Sequence, residues 1–197
     1  MQYDSMNQQN ISMLKRKIAV SQCLLGDTVR YDGRDSFIYS IARELADRFT
    51  LVPVCPETGI GLGVPRPPVQ LVDKDGEIRV VQVDDPAKDY TTQLQQFAED
   101  FLQREPDICG YIFKSSSPSC GIQHVKVLNQ DNQYQRRGTG LQAAMIMQAL
   151  PDLPVIDEID FMQVDKQREF LWQVECYQLG KSKGKLKGLH SQDFWNF

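Results

Sequence analysis

Short apolar runs alternate along this chain with longer stretches of helical spacing. Residues 17–21 (Lys-Ile-Ala-Val-Ser), 49–54, 110–114 and 154–157 read as short buried strands. Between them, Ile38, Ile41, Ala42, Leu45 and Ala46 predict a helix over 35–48, with Asp35 or Ser36 as its cap. Leu94, Phe97, Phe101 and Leu102 line one face of a second helix over 90–104. Further helices are expected over 139–150, which Pro151 stops, and over 159–176. Residues 69–83 alternate and carry Asp75-Gly76, a two-residue hairpin signal. A Gly/Pro-rich loop is expected over 56–68.

This order implies an α/β fold: a single domain with a mostly parallel sheet flanked by helices, Rossmann-like, plus an inserted β-hairpin. Residues 1–14 are expected to be a disordered extension, 15–178 the α/β domain, and the Lys/Gly-rich 179–197 a loose tail. Ligands of such sheets bind beyond the carboxyl ends of the strands. Three cysteines fall just there, each after an apolar run: Cys23 in Ser-Gln-Cys-Leu-Leu-Gly, Cys55 in Val-Cys-Pro-Glu, and Cys120 in Ser-Pro-Ser-Cys-Gly. Converging thiols would make a site for a soft metal or an iron–sulfur cluster, and three ligands rather than four would leave one iron open.

Composition narrows the field. The chain has 197 residues, enough for one core of ordinary size. Its net charge of −4 argues weakly against nucleic acid as the main partner. No run approaches the roughly 20 apolar residues of a membrane span, and the polar N-terminus lacks a secretory signal's apolar region. A cytoplasmic location follows as an expectation. There the odd count of five cysteines points to thiols rather than disulfides. Cys109, in a buried-strand pattern, and Cys176, in a helical stretch, read as small buried hydrophobes.

The spacing of the other three is not that of a zinc ribbon or a simple ferredoxin, so structural thiols stay open as an alternative. Zinc is another, with His124 as the fourth ligand. Pro56 fixes the chain after Cys55, while Gly26 and Gly121 permit close backbone approach. Glu57, two residues beyond Cys55, is a candidate general base or proton shuttle, or a solvated loop carboxylate. Ser117 is a candidate hydroxyl donor, or turn chemistry before Pro118. Arg30 beside the Tyr31-Asp32-Gly33 turn, Arg66 and Lys114 are basic residues near the strand ends. The Gly-Ile-Gly-Leu-Gly run at 59–63 lacks the signature of a phosphate loop.

The motifs Ser-Gln-Cys-Leu-Leu-Gly (21–26), Val-Arg-Tyr-Asp-Gly (29–33), Val-Pro-Val-Cys-Pro-Glu (52–57), Val-Pro-Arg-Pro-Pro (64–68) and Lys-Ser-Ser-Ser-Pro-Ser-Cys-Gly (114–121) together resemble the thiouracil desulfurase (TudS-like) family. The resemblance runs from about 17 to 150. It implies an oxygen-sensitive 4Fe-4S cluster held by Cys23, Cys55 and Cys120 with one iron not ligated by protein. It also implies a catalytic carboxylate at Glu57 and a catalytic serine at Ser117. The implied reaction replaces the thiocarbonyl sulfur of a thiolated pyrimidine with oxygen, without net redox change, and releases hydrosulfide. The implied partners are that small molecule and cluster-assembly machinery, with no membrane. Thiolated transfer RNA is the alternative substrate, and a non-catalytic iron–sulfur or zinc module, such as a persulfide carrier or redox sensor, the alternative function. Where the family often carries an arginine, this chain has Ser116, which puts substrate detail in question rather than the cluster.

Overall fold

The computed structural model describes residues 15–180. The expected N-terminal extension and residues 181–197 of the expected tail lie outside the described residues. The first strand, β1 (Lys17–Ser21), pairs in parallel with β2 (Thr50–Val54) on one side and with β5 (Ile108–Phe113) on the other. β5 pairs in parallel with β8 (Val155–Asp157), completing a four-stranded parallel sheet of order β2-β1-β5-β8. The apolar runs that predicted strands are these four, within two residues at each end.

Alternation across the sheet builds two cores. Ile18, Val20 and Ile112 face Ile41, Leu45, Phe170 and Val174 on one side. Ala19, Tyr111 and Phe113 face Phe101, Ala143 and Ile146 on the other. The second face is covered by α2 (Thr91–Arg104) and α3 (Leu141–Ala149), the first by α5 (Val164–Gln178). Gly110 lets α5 lie close to β5, because a Cβ there would sit 2.7 Å from Val174 Cγ2.

Two expected helices differ. The segment 35–48 is helical only from its middle, as a π-type turn over Ser40–Glu44 and a 3-10 turn over Leu45–Asp47. Its first residues serve another purpose: the Ser36 and Ile38 N–H groups donate to the Cys23 and Leu24 carbonyls at 2.9 and 3.1 Å. Asp35 accepts from the Phe37 N–H instead of capping a helix. The last helix is interrupted. Asp157 caps a single turn, α4 (Glu158–Phe161), and Gln163 in extended conformation starts α5 afresh.

The hairpin forms as read, with β3 (Val69–Lys74) and β4 (Glu77–Gln82) joined by Asp75 and Gly76, both at positive φ. It is not alone. A second hairpin of β6 (Val125–Leu128) and β7 (Tyr134–Gly138) pairs with it through a parallel β3–β6 contact, giving a second sheet of order β4-β3-β6-β7. Val69, Leu71, Val80, Val125 and Val127 form its core with Leu94 and Leu141.

Candidate active site

In the parallel sheet the chain leaves β1 toward β2 on one side and returns toward β5 on the other. The gap beyond β1 and β5 is therefore a topological switch point, where the loops part and leave a crevice. Cys23 follows β1, Cys55 follows β2, and Cys120 lies in the loop after β5. All three line one cavity of about 270 Å³. Glu57, Ser117, Arg30, Tyr31, Arg66 and Lys114 line it too. Cys109 and Cys176 lie elsewhere, buried in the protein interior at 5 % and 3 % exposure.

Each cysteine is held by local chemistry. Cys23 sits in a single 3-10 turn, Gln22–Leu25, closed by Gly26 at φ 103°. A side chain at Gly26 would also press on Phe37. Cys55 precedes a short helix, α1 (Pro56–Gly59), which occupies the start of the expected loop, and Pro56 starts it with φ already suited to a first turn. Cys120 follows a serine turn: Ser117 Oγ accepts from the N–H groups of Ser119 and Cys120 at 3.2 and 3.1 Å. Gly140 backs that turn so closely that a Cβ would stand 2.7 Å from the Cys120 nitrogen.

Glu57 is no free loop carboxylate. Its Oε2 accepts from Arg66 Nε at 2.9 Å and pairs with Nη2 at 2.8 Å, while its Oε1 accepts from Ser119 Oγ at 2.9 Å. Arg66 also donates to the Val29 and Gly63 carbonyls. Lys114 is tied to Glu158, which also accepts from the Ser115 N–H and hydroxyl, each at 2.6 Å. Burial works against the Glu158 carboxylate, yet those donors outweigh it and hold its pKa below the ordinary value. Arg66, Ser119 and Glu158 thus act on the cavity through partners distant in sequence. No local pattern marks Ser119 or Glu158 for that role.

The thiols are electrostatically crowded. Burial pushes Cys23 up to about 11, the neighbouring Cys55 adds to this, and Lys114 and Arg30 oppose it. Burial and then Cys55 push Cys120 up further, against a hydrogen bond from Ser21. Thiols so placed become thiolates when a cation binds them, which is the behaviour of a soft-metal or iron–sulfur site. His124, the expected fourth zinc ligand, is exposed and does not line the cavity. Among the described residues, no group of three or more His, Cys, Asp and Glu side chains is arranged to hold a single metal ion.

Comparison with known proteins agrees with this geometry. Residues 18–158 match the model of the 2-thiouracil desulfurase family. The chain belongs to that family. A solved structure described as a [4Fe-4S]-dependent thiouracil desulfidase, TudS, is 28 % identical, with a TM-score of 0.57; the match covers 79 % of this chain and 99 % of that one. No curated protein matches the chain. Among the described residues, no helix is long and apolar enough to cross a membrane. The family relationship spans both sheets and all five expected site residues, so this member carries the whole cavity within the matched segment.

Proposed function

We propose that this protein is a 4Fe-4S-dependent desulfurase that converts a thiolated pyrimidine to its oxo form. Cys23, Cys55 and Cys120 would hold the cluster, with Glu57 and Ser117 as catalytic residues. The observation that carries the reading is the convergence of three strand-end cysteines with a clamped carboxylate and a serine hydroxyl on one cavity. Bound there, the cluster would supply an iron not ligated by protein, a soft Lewis acid for the thiocarbonyl sulfur.

The chain's own residues supply the rest. With the cluster held against the three cysteines, the ring would sit where this cavity meets an adjoining one, beside Glu57 and Tyr31. Arg66 and Ser119 fix the Glu57 carboxylate at the cavity wall, where it accepts a proton from the attacking water. Ser117 Oγ already accepts two N–H donors, so its own proton is free to be donated to the substrate as charge develops. Water adds at the ring carbon, the C–S bond breaks, and sulfur leaves as hydrosulfide. The oxygen stays on the ring, one proton is released and no electrons are exchanged. Such a site suits the reducing cytoplasm and depends on cluster-assembly machinery.

A second cavity of about 490 Å³ adjoins the first and shares Tyr31, Glu57, Ser116 and Pro118 with it. Lys126, Tyr134 and Arg136 line its far side. Its basic lining supports a nucleoside, or thiolated uridine within transfer RNA, as the larger substrate.

The test is iron and acid-labile sulfide content after anaerobic reconstitution, with turnover of thiouracil, thiouridine and thiolated transfer RNA followed by released sulfide. We expect about four irons and four sulfides per chain, lost in Cys23→Ser. Glu57→Gln should keep the cluster and lose turnover. Zinc, or no metal, with an unchanged Cys23→Ser protein would overturn the proposal.

A further inference from the structure

Behind the cysteines lie two buried polar side chains that the reaction does not use. The Tyr111 hydroxyl and both amide atoms of Gln142 are inaccessible to solvent and make no hydrogen bond of ordinary geometry. Buried polar groups without partners are rare in folded proteins, and each calls for an explanation. Neither residue lines the cavity.

Their surroundings supply one. The Tyr111 ring is locked in place, stacked on Phe113 with centroids 3.6 Å apart and tilted against Phe101 at 5.9 Å. It packs in the same core cluster as Cys120. The hydroxyl lies within loose hydrogen-bonding reach of the Gln142 side chain, and charge at Cys120 and at Cys55 reaches it. Gln142 is placed by its own N–H, which donates to the Ser119 carbonyl at 2.9 Å, one residue from Cys120. The hydroxyl and the amide thus have only each other, at poor geometry, in the core that packs against the cysteine loop.

A neutral thiol is a weak hydrogen-bond acceptor, whereas a metal-bound thiolate is a strong one. We propose that Tyr111 and Gln142 are positioning residues that donate to the sulfur of Cys120 once it is a cluster ligand, completing a buried hydrogen-bond layer behind the site. The inference rests on the cluster reading above. Hydrogen bonds to ligand sulfurs withdraw electron density, favour the reduced cluster and hold the ligand as a thiolate against protonation and release.

Tyr111→Phe keeps the stacked ring and removes only the hydroxyl. Gln142→Met keeps the volume and removes the amide. In the cluster-free full-length chain, Tyr111→Phe should leave the unfolding midpoint unchanged or raised, because the hydroxyl makes no hydrogen bond of ordinary geometry there. In the reconstituted protein it should release iron to a chelator roughly tenfold faster, the lower end of what outer partners of metal ligands contribute. The cluster's midpoint potential should move negative, and Gln142→Met should act in the same direction. Wild-type protein that holds its cluster, beside variants with unchanged potential and iron release, would overturn this inference alone. So would an equal loss of stability with and without the cluster, which marks a purely structural role. Wild-type protein that takes up no cluster would overturn this inference together with the proposed function.

Discussion

Replacing Arg66 with methionine strips the countercharge from Glu57 while filling most of the space. The guanidinium is 5 % exposed and the carboxylate 13 %. Two contacts join them, at 2.8 and 2.9 Å, and two more tie Arg66 to backbone carbonyls at 2.9 and 3.1 Å. In the variant, Glu57 keeps only the Ser119 hydroxyl. Breaking a buried pair by removing one partner costs about 3–5 kcal/mol. Glu57 retains some access to water, so the lower end applies, about 3 kcal/mol, or roughly 6–12 °C in Tm for a domain of this size. Urea unfolding of cluster-free protein reads the change as a shift in midpoint at constant slope. In a Glu57→Gln background the same replacement should cost only the carbonyl bonds, about 1–2 kcal/mol. A loss below about 1 kcal/mol, or the same loss in both backgrounds, would mean that the pair behaves as an exposed one and would refute the clamp.

Three further outcomes are expected. Gly140→Ala drives a methyl into the Ser119–Cys120 backbone, so it should cost about 1–3 kcal/mol and impair iron uptake; normal iron content would show that the loop yields freely. Ser117→Ala removes the acceptor for two N–H groups as well as the donor, so both iron retention and turnover should fall, whereas loss of turnover alone would assign the hydroxyl to chemistry only. The lowered pKa of Glu158 means its stabilisation is present above its unfolded value of about 4.5 and lost as pH falls through the folded one. Thermal melts between pH 7 and pH 3 should therefore fall less steeply for Glu158→Gln than for wild type, and parallel curves would remove Glu158 from the acid response.

The strands that end at cysteines were legible because each is a compact apolar run broken by a loop of special composition. Their meeting at one crevice follows from the sheet order, which linear spacing does not carry. The second hairpin was missed because β7 is Tyr-Gln-Arg-Arg-Gly, almost wholly exposed, and β6 is only four residues long. The helix expected from Asp35 begins late because its periodicity was real, but Ser36 and Ile38 bond across to the Cys23 turn. Arg66 was noticed as a charge and not as the partner of Glu57, nine residues away through a folded loop. Glu158 carried no signal at all, since its grip on Ser115 spans 43 residues.

The parallel β3–β6 contact has a consequence for how a cofactor is received. β3 continues from the Cys55 loop and β6 from the Cys120 loop, so their pairing ties the two segments together at a distance from the cavity. The entropy of bringing those thiols into range is met by folding of the polypeptide itself. If the proposed cluster binds here, it need not drive folding, unlike metal binding to small zinc modules that are unfolded without metal. On the proposed function, the β3–β6 pairing would make the cysteine loops a preassembled receptor for the cluster.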